Sequence, residues 1–297
     1  MDQINLLKKV KNLSIWKNGS QRAPHKPLLI LYALGKMKED IQFLPYEEVR
    51  KDLIQLLLEF GPSRKSYHPE QPFVRLKNDG LWRLSQPIDS TNFNRDLLAN
   101  HVSGGFTDDV YKLLKSNKVL QKEVAFQLLN DHFPTTLHDD ILQAVGLGYD
   151  FPIQENSNNI ECYKRAPDFR LKILKAYEYQ CAVCGFNVRV GHVPVGLEAA
   201  HIKWHQAGGP AIEENGLCLC ILHHKLFDRG AFTILEDRKL IVSEETYGTN
   251  GFNEWLMRFH GKEIRKPISP NYYPDHTYIH WHVKEVFRGT GRYLEDD

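Results

Sequence analysis

The sequence lacks any apolar run that could cross a bilayer: the longest, residues 28–34, falls far short of the roughly twenty residues that a spanning helix needs. Its opening, Met1-Asp2-Gln3, lacks the organisation of a secretory leader, so the cytoplasm is the expected compartment and no membrane partner is expected. Net charge is nearly absent as well. Thirty-eight lysines and arginines against thirty-seven acids leave +1, so overall charge does not announce a nucleic-acid binder. Cysteine is scarce and odd in number, at five, which argues against a disulfide framework. No internal repeat and no low-complexity tract stands out. At 297 residues the chain has room for two ordinary domains.

Charge and periodicity are distributed unevenly. Lys8, Lys9, Lys11, Lys17, Arg22 and Lys26 face only Asp2 over the first twenty-six residues, either as a solvated face or as a strip for phosphate. Asp2 can cap a helix carrying Ile4, Leu7, Val10 and Leu13. Pro27 suits the first turn of a buried helix, and residues 45–60 form another periodic stretch closed by Gly61-Pro62. Residues 73–76 and 81–84 alternate apolar and basic side chains around Lys77-Asn-Asp-Gly80, which predicts a β-hairpin. Helical patterns resume near Asn92, Thr107 and Lys118. The polar stretch 154–159 reads as a linker, giving domains at 1–150 and 165–297 joined by 151–164. The expected fold class is α+β: a mostly helical first domain with a small hairpin or sheet, then a compact metal-stapled domain.

Four cysteines sit close to histidines. Cys181-Ala-Val-Cys184 and Cys220-Ile-Leu-His223 are C-x2-C and C-x2-H pairs, each offering two donors on one tight turn, and two such knuckles close a tetrahedral zinc site. A redox C-x2-C would want a preceding strand and no second pair. Cys218, two residues from Cys220 on a strand, is expected to be buried rather than liganding.

Between the pairs lies Leu197-Glu-Ala-Ala-His201-Ile; after it come Asn215-Gly-Leu and, beside the zinc ligand His223, His224. The order His201, Asn215, His224 resembles the HNH endonucleases on their zinc-bound ββα fold. The string Asn215-Gly-Leu-Cys-Leu-Cys-Ile-Leu-His-His-Lys-Leu-Phe-Asp-Arg-Gly230 is similar to the modification-dependent branch of that family. Phosphodiester hydrolysis needs a base for water, an electrophile on the phosphate and help for the leaving oxygen. The resemblance implies His201 as base, His224 as ligand of a hard divalent ion (Mg2+ or Mn2+), and Asn215 as the residue that fixes loop geometry. Many HNH enzymes carry an aspartate just before the base, where this chain has Ala200. Glu198, on the same side of an extended strand, and Asp228, one turn after His224, are the candidate carboxylates. Lys225 and Arg229 are either phosphate contacts or exposed helix charges.

The segment Gly19-Ser-Gln-Arg-Ala-Pro-His-Lys-Pro27 places cations at a helix N-terminus, an end that favours anions. Arg22-Ala-Pro-His-Lys-Pro-Leu-Leu, Pro69-Glu-Gln-Pro-Phe-Val-Arg-Leu with Asn78-Asp-Gly-Leu-Trp82, and Val102-Ser-Gly-Gly-Phe106 together resemble the sulfur-binding domain of phosphorothioate-dependent HNH restriction endonucleases. Sulfur is larger, softer and less hydrated than phosphate oxygen, so an apolar cup accepts it while penalising oxygen by desolvation. By that resemblance Pro72 and Phe73 form the cup or its wall, with His25 and Lys26 on the modified phosphate. Arg22 and Arg75 reach flanking phosphates or bases, and Ser103-Gly104-Gly105 supplies a loop close to DNA. Gln71 stands where an aromatic residue is expected. The expected partner is double-stranded, phosphorothioated DNA. The alternatives are an HNH enzyme reading a methylated base or no mark, and a non-catalytic reader. Cutting both strands with one site per chain suggests a homodimer, through residues 255–287.

Overall fold

The computed structural model describes residues 1–16, 18–148 and 167–294, which fall into two compact units divided near residue 156. The expected linker, 151–164, and Cys162 lie outside the described residues. No helix among the described residues is long and apolar enough to cross a membrane.

The first unit contains α1 (Gln3–Lys11), α2 (His25–Lys36), β1 (Phe43–Pro45), α3 (Tyr46–Phe60), α4 (Glu70–Arg75), β2 (Trp82–Leu84), α5 (Phe93–Ala99), β3 (Ser103–Phe106), α6 (Asp108–Ser116), α7 (Lys118–His132) and α8 (His138–Ala144). Asp2 caps α1 by accepting the amide of Asn5 at 2.8 Å. The buried stripe of α1 is Leu6 and Val10, packed on α7, while Ile4 is exposed and Leu13 lies past the helix end; the stripe keeps Val10 but is turned by roughly 80° toward Leu6. Every residue of α2 from Pro27 to Gly35 is buried, among α3, α4 and α7, so this helix is the axis of the core.

The expected hairpin does not form. Residues 70–75 are the helix α4, and residues 76–79 continue as a 3-10 turn that ends at Gly80 with φ +68°. The reason is in the side chains. Pro69 and Pro72 fit a helix cap and first turn, where no amide is needed. Phe73, Val74 and Leu76 are all buried, which a period of two cannot arrange. The sheet is instead three-stranded, ordered β1-β3-β2 and antiparallel throughout. Its central strand is Ser103–Phe106, so Ser103, Gly104 and Gly105 are hydrogen-bonded strand residues rather than a loop. Glycine is required there by close approach. A Cβ on Gly104 would lie 2.7 Å from Trp82 Nε1 and 2.8 Å from Phe73 Cζ, and one on Gly105 would lie 1.9 Å from the carbonyl oxygen of Gln42.

The second unit contains α9 (Pro167–Ala176), β4 (Arg189–Val190), β5 (Val193–Pro194), β6 (Leu197–His201), β7 (Gly216–Cys220), α10 (Ile221–Asp228), β8 (Phe232–Ile234), β9 (Leu240–Val242), α11 (Phe252–Trp255) and α12 (His276–Glu285). Strands β6 and β7 pair antiparallel with His201 opposite Gly216, and α10 follows at once: a ββα unit. Gly216 has no room for a side chain, since a Cβ would fall 2.1 Å from Ile173 Cδ1, so α9 lies directly on β7. His282 of α12 stacks on Phe227 of α10 at 3.8 Å, accepts the Thr233 hydroxyl on Nδ1 and donates from Nε2 to the Phe227 carbonyl. That is a structural role. The segment expected to supply a dimer surface buries Leu256, Ile264, Ile279, Trp281, Val286 and Phe287 within this unit.

Two half-buried histidines of the first unit are held as neutral rings. Burial pushes His25 down to about 4, helped by His68 and Arg64, and burial does the same to His132. In the unfolded chain each takes a proton below about 6.5. Their contribution to stability is therefore complete above that pH and is lost as pH falls toward 4, on the order of 1–3 kcal/mol per ring. The unfolding midpoint of the His25→Gln/His132→Gln chain is expected to fall less steeply than wild type between pH 6.5 and 4.5; parallel curves in thermal melts would contradict this.

Candidate functional site

In the second unit the donor set begins on the turn between α9 and β4. Cys181 and Cys184 lie on that knuckle, Cys220 ends β7, and His223 sits in the first turn of α10. The three sulfurs and the His223 ring lie within 4.8 Å of one another. Cys184 Sγ is 3.9 Å from Cys220 Sγ, and His223 Nδ1 is 3.7 Å from Cys181 Sγ and 3.1 Å from Cys220 Sγ. A tetrahedral zinc with bonds of about 2.1–2.3 Å requires ligand edges of roughly 3.4–3.8 Å, so the Cys181–His223 edge matches, the Cys184–Cys220 edge is slightly long and the Cys220–His223 edge is short. The far side of His223 completes the fit: Nε2 donates to the Trp255 carbonyl at 2.8 Å, which leaves the lone pair on Nδ1 facing the sulfurs. Three thiolates and one such imidazole are the donors that zinc selects. Cys218 faces the core, and burial pushes its thiol up to about 12, so it stays protonated and outside the cluster.

His224, next on α10, turns about 100° away from the cluster toward β6. It is buried between two carboxylates: Nδ1 lies 2.6 Å from Glu198 Oε2 and Nε2 lies 3.1 Å from Asp228 Oδ2. Burial alone would lower this ring, but Asp228 and Glu198 prevail and raise it to about 9. The two carboxylates differ in setting. Asp228 is almost wholly buried, whereas the Glu198 side chain is 38% exposed, on the open side of the strand.

His201 ends β6, stacked on Phe169 of α9 with ring centroids 4.0 Å apart and planes 22° apart. Asn215 is fully buried and acts on the backbone. Its Oδ1 accepts the Lys203 amide at 2.8 Å, and its Nδ2 donates to the carbonyls of Lys203 and Pro210 at 3.0 and 2.9 Å. It thereby ties down the turn that leaves His201. Lys225 is exposed on α10; Arg229 is half-buried.

In the first unit a groove of about 690 Å3 gathers His25 and Lys26 from the start of α2 with Gln71, Pro72 and Arg75 from α4. Pro72, largely buried, is part of its lining. His25 is neutral at pH 7 for the reason given above. Lys26 does not present a free charge, because it pairs with Asp79 at 2.5 Å and donates to the Ser14 carbonyl. Phe73 does not line the groove; it is in the core against Tyr46 and Trp82. Arg22 is anchored to the Phe60 carbonyl at 2.7 Å, outside the lining. Ser103, Gly104 and Gly105 are in the sheet. Sequence reasoning missed Ile15, Trp16 and His68 on the rim. Trp16 is 59% exposed beside a basic helix, which was the one available signal; His68 arrives through its contact with Glu70.

Purified protein is expected to hold one zinc per chain, and Cys181→Ala/Cys184→Ala to lose both the metal and the cooperative unfolding of residues 167–294, since structural zinc supplies folding free energy on the order of 10 kcal/mol. Elemental analysis showing no zinc, or an intact second unit in the double variant, would contradict this.

Comparison with known proteins agrees with this division. A family model described as ScoMcrA-like, DNA sulfur-binding domain matches residues 3–150, and one described as HNH endonuclease matches residues 181–235. Among solved structures, the chain is similar to the sulfur binding domain of SprMcrA complexed with phosphorothioated DNA, at 20% identity and TM-score 0.44, over 50% of this chain and 96% of that one. It is similar to the sulfur binding domain of ScoMcrA in complex with such DNA at 24% and 0.41, over 48% and 94%. It is also similar to the modification dependent TagI restriction endonuclease at 28% and 0.29, over 39% and 36%. No curated protein matches the chain. The chain is a DNA endonuclease of the HNH class that carries, ahead of its nuclease domain, a DNA sulfur-binding domain of the ScoMcrA-like family.

Proposed function

We propose that the chain recognises phosphorothioated double-stranded DNA through the groove of its first unit and hydrolyses phosphodiester bonds nearby with the ββα unit of its second. The observation that carries this reading is the groove itself: apolar lining from Ile15, Trp16, Ala23 and Pro72 beside a neutral imidazole, with its one lysine already paired. A phosphate oxygen entering such a cup loses water and gains little charge in return, whereas sulfur has less hydration to lose. His25 offers a ring N–H to the modified phosphate without a formal charge. Arg75 reaches toward flanking phosphates, and Gln71 shapes the wall. Lys26 holds the rim through Asp79, so its effect on binding passes through groove shape.

In the second unit His201 takes the proton of the attacking water, held in orientation by the face of Phe169 and by the turn that Asn215 fixes. His224 Nδ1, giving up the proton that Glu198 now attracts, and Glu198 would together hold a divalent Mg2+ or Mn2+, while Asp228, deep behind Nε2, orients the ring as outer carboxylates do for metal-binding histidines. Such an ion supplies neutralisation of phosphate charge and of the leaving oxygen when bound. Zinc, held by Cys181, Cys184, Cys220 and His223, is structural. The enzyme acts as a homodimer where DNA is found, in the cytoplasm.

The full chain is expected to bind a duplex with one phosphorothioate at least tenfold more tightly than its sulfur-free counterpart, and for one phosphorus diastereomer only. Added salt is expected to weaken both complexes yet keep their ratio, since an apolar cup is little screened. Pro72→Asp collapses the ratio. Equal affinity for sulfur-bearing and plain duplexes, in both diastereomers, would overturn the reading.

A further inference from the structure

The turn that leaves β6 carries a histidine to which the proposed hydrolysis gives no part. His201 is followed by Ile202, Lys203, Trp204 and then His205, the first residue of a 3-10 turn, His205–Ala207. That turn is tightly held. Trp204 is buried with its ring 5.9 Å from that of Trp281, and its carbonyl accepts the amides of Ala207 and Gly209, each at 2.9 Å. Asn215 takes both the amide and the carbonyl of Lys203, and a Cβ on Gly209 would run into the Lys203 carbonyl oxygen. The path of the chain from His201 to His205 is therefore fixed at both ends.

The side chain presented from this rigid turn is unused. His205 is exposed, and among the described residues its imidazole makes no hydrogen bond or ion pair. Its neighbour is His201: the two ring centroids lie 6.0 Å apart with planes inclined at 47°. The structural histidines of this unit differ. His282 is stacked and bonded through both nitrogens, and His223 has a partner on either side. The 6.0 Å separation is beyond a direct hydrogen bond between the two imidazoles, yet it suits two rings serving one group. A ring nitrogen reaches an oxygen about 2.8–3.0 Å away, so two rings so spaced can hold a pair of oxygens about 2.5–3.5 Å apart. A water closing on phosphorus and a non-bridging oxygen of the same phosphate are such a pair.

We infer that His205 is a further catalytic residue of the hydrolysis: its ring N–H donates to a non-bridging oxygen of the scissile phosphate while His201 takes the proton of the attacking water. An imidazole offers an N–H in either tautomer and when protonated, so the contact does not depend on which nitrogen carries the proton. Charge builds on the non-bridging oxygens as water adds, and a donor already in place stabilises that charge without having to reorganise. The fixed turn supplies the placement, since Trp204 and Asn215 hold the backbone on either side of the step to His205. The inference rests on the reading of His201 as the base; the rigidity of the turn and the exposure of His205 do not.

The test is single-turnover cleavage by the full zinc-loaded chain, with magnesium or manganese, on whichever duplex wild type cuts, together with affinity for the same duplex. His205→Phe keeps a flat ring beside His201 and removes the donor. It is expected to slow cleavage about a hundredfold, the usual cost of one lost donor to a developing oxyanion, while affinity changes less than threefold. His205→Gln, which offers an N–H without the ring, is expected to cut at least tenfold faster than His205→Phe. Ring packing alone predicts the reverse order. Should His205→Phe lose its zinc, His205→Ala takes its place in the comparison. A folded donor-less variant that cuts at the wild-type rate overturns the inference, as does a loss that lies wholly in affinity or a His205→Gln no faster than His205→Phe. His201→Ala, run alongside, keeps the two readings apart: full cutting there removes His201 as base, whereas the His205 comparison is read from its own variants. Because all rates are compared on one duplex, the outcome is also independent of whether sulfur is preferred.

Discussion

The nuclease half depends on one set of donors on the first turn of α10. A helix of eight residues is too short to hold its own position in water, and its burial alone leaves its rotation open. Cys181, Cys184 and Cys220 gather around His223, where a zinc ion would tie them together, and the Trp255 carbonyl holds the far side of the same ring. The adjacent residue, His224, is thereby aimed at β6, where Glu198 and Asp228 receive it. The donor cluster and the proposed hydrolytic centre are one residue apart, so in that reading the rigidity of the first would set the precision of the second.

On the proposed reading, the first unit works by withholding charge. Nucleic-acid binders ordinarily display free cations, yet the groove holds a neutral His25 and a Lys26 already paired with Asp79. Such a site gives up general affinity for phosphate. What remains favours the phosphate with the softest, least hydrated atom. In that reading Arg75, which lines the groove, would provide attraction without discrimination, and Pro72 discrimination without attraction.

Much of this was legible in the sequence, for physical reasons that differ from place to place. The metal knuckles and the His201, Asn215, His224 order are local spacings, and a spacing survives folding unchanged. The helices α2 and α3 were legible because their apolar runs are long and bounded by proline and glycine. Residues 73–76 were misread because four residues cannot distinguish alternation from a buried helical turn, and the two flanking prolines were the better guide. Gly104 and Gly105 looked like a loop. They are glycines because Trp82 and Gln42 crowd them, and no local pattern carries that information. Trp16 and His68 join the groove through tertiary contacts; Asp228, one turn after His224 on α10, and Glu198, across on β6, were recognisable as candidates around that ring but their different settings were not.

The central claim is that sulfur read by the first unit directs hydrolysis by the second. It is tested most directly by mapping strand breaks in a long duplex carrying a single phosphorothioate of defined stereochemistry, with magnesium or manganese present. The account predicts breaks at a fixed offset that moves when the sulfur is moved. They should be absent from the sulfur-free duplex, and reduced by at least about a hundredfold in His201→Ala, whose DNA binding stays intact. Breaks that occur equally in sulfur-free DNA, or that persist in full with His201→Ala, would contradict it.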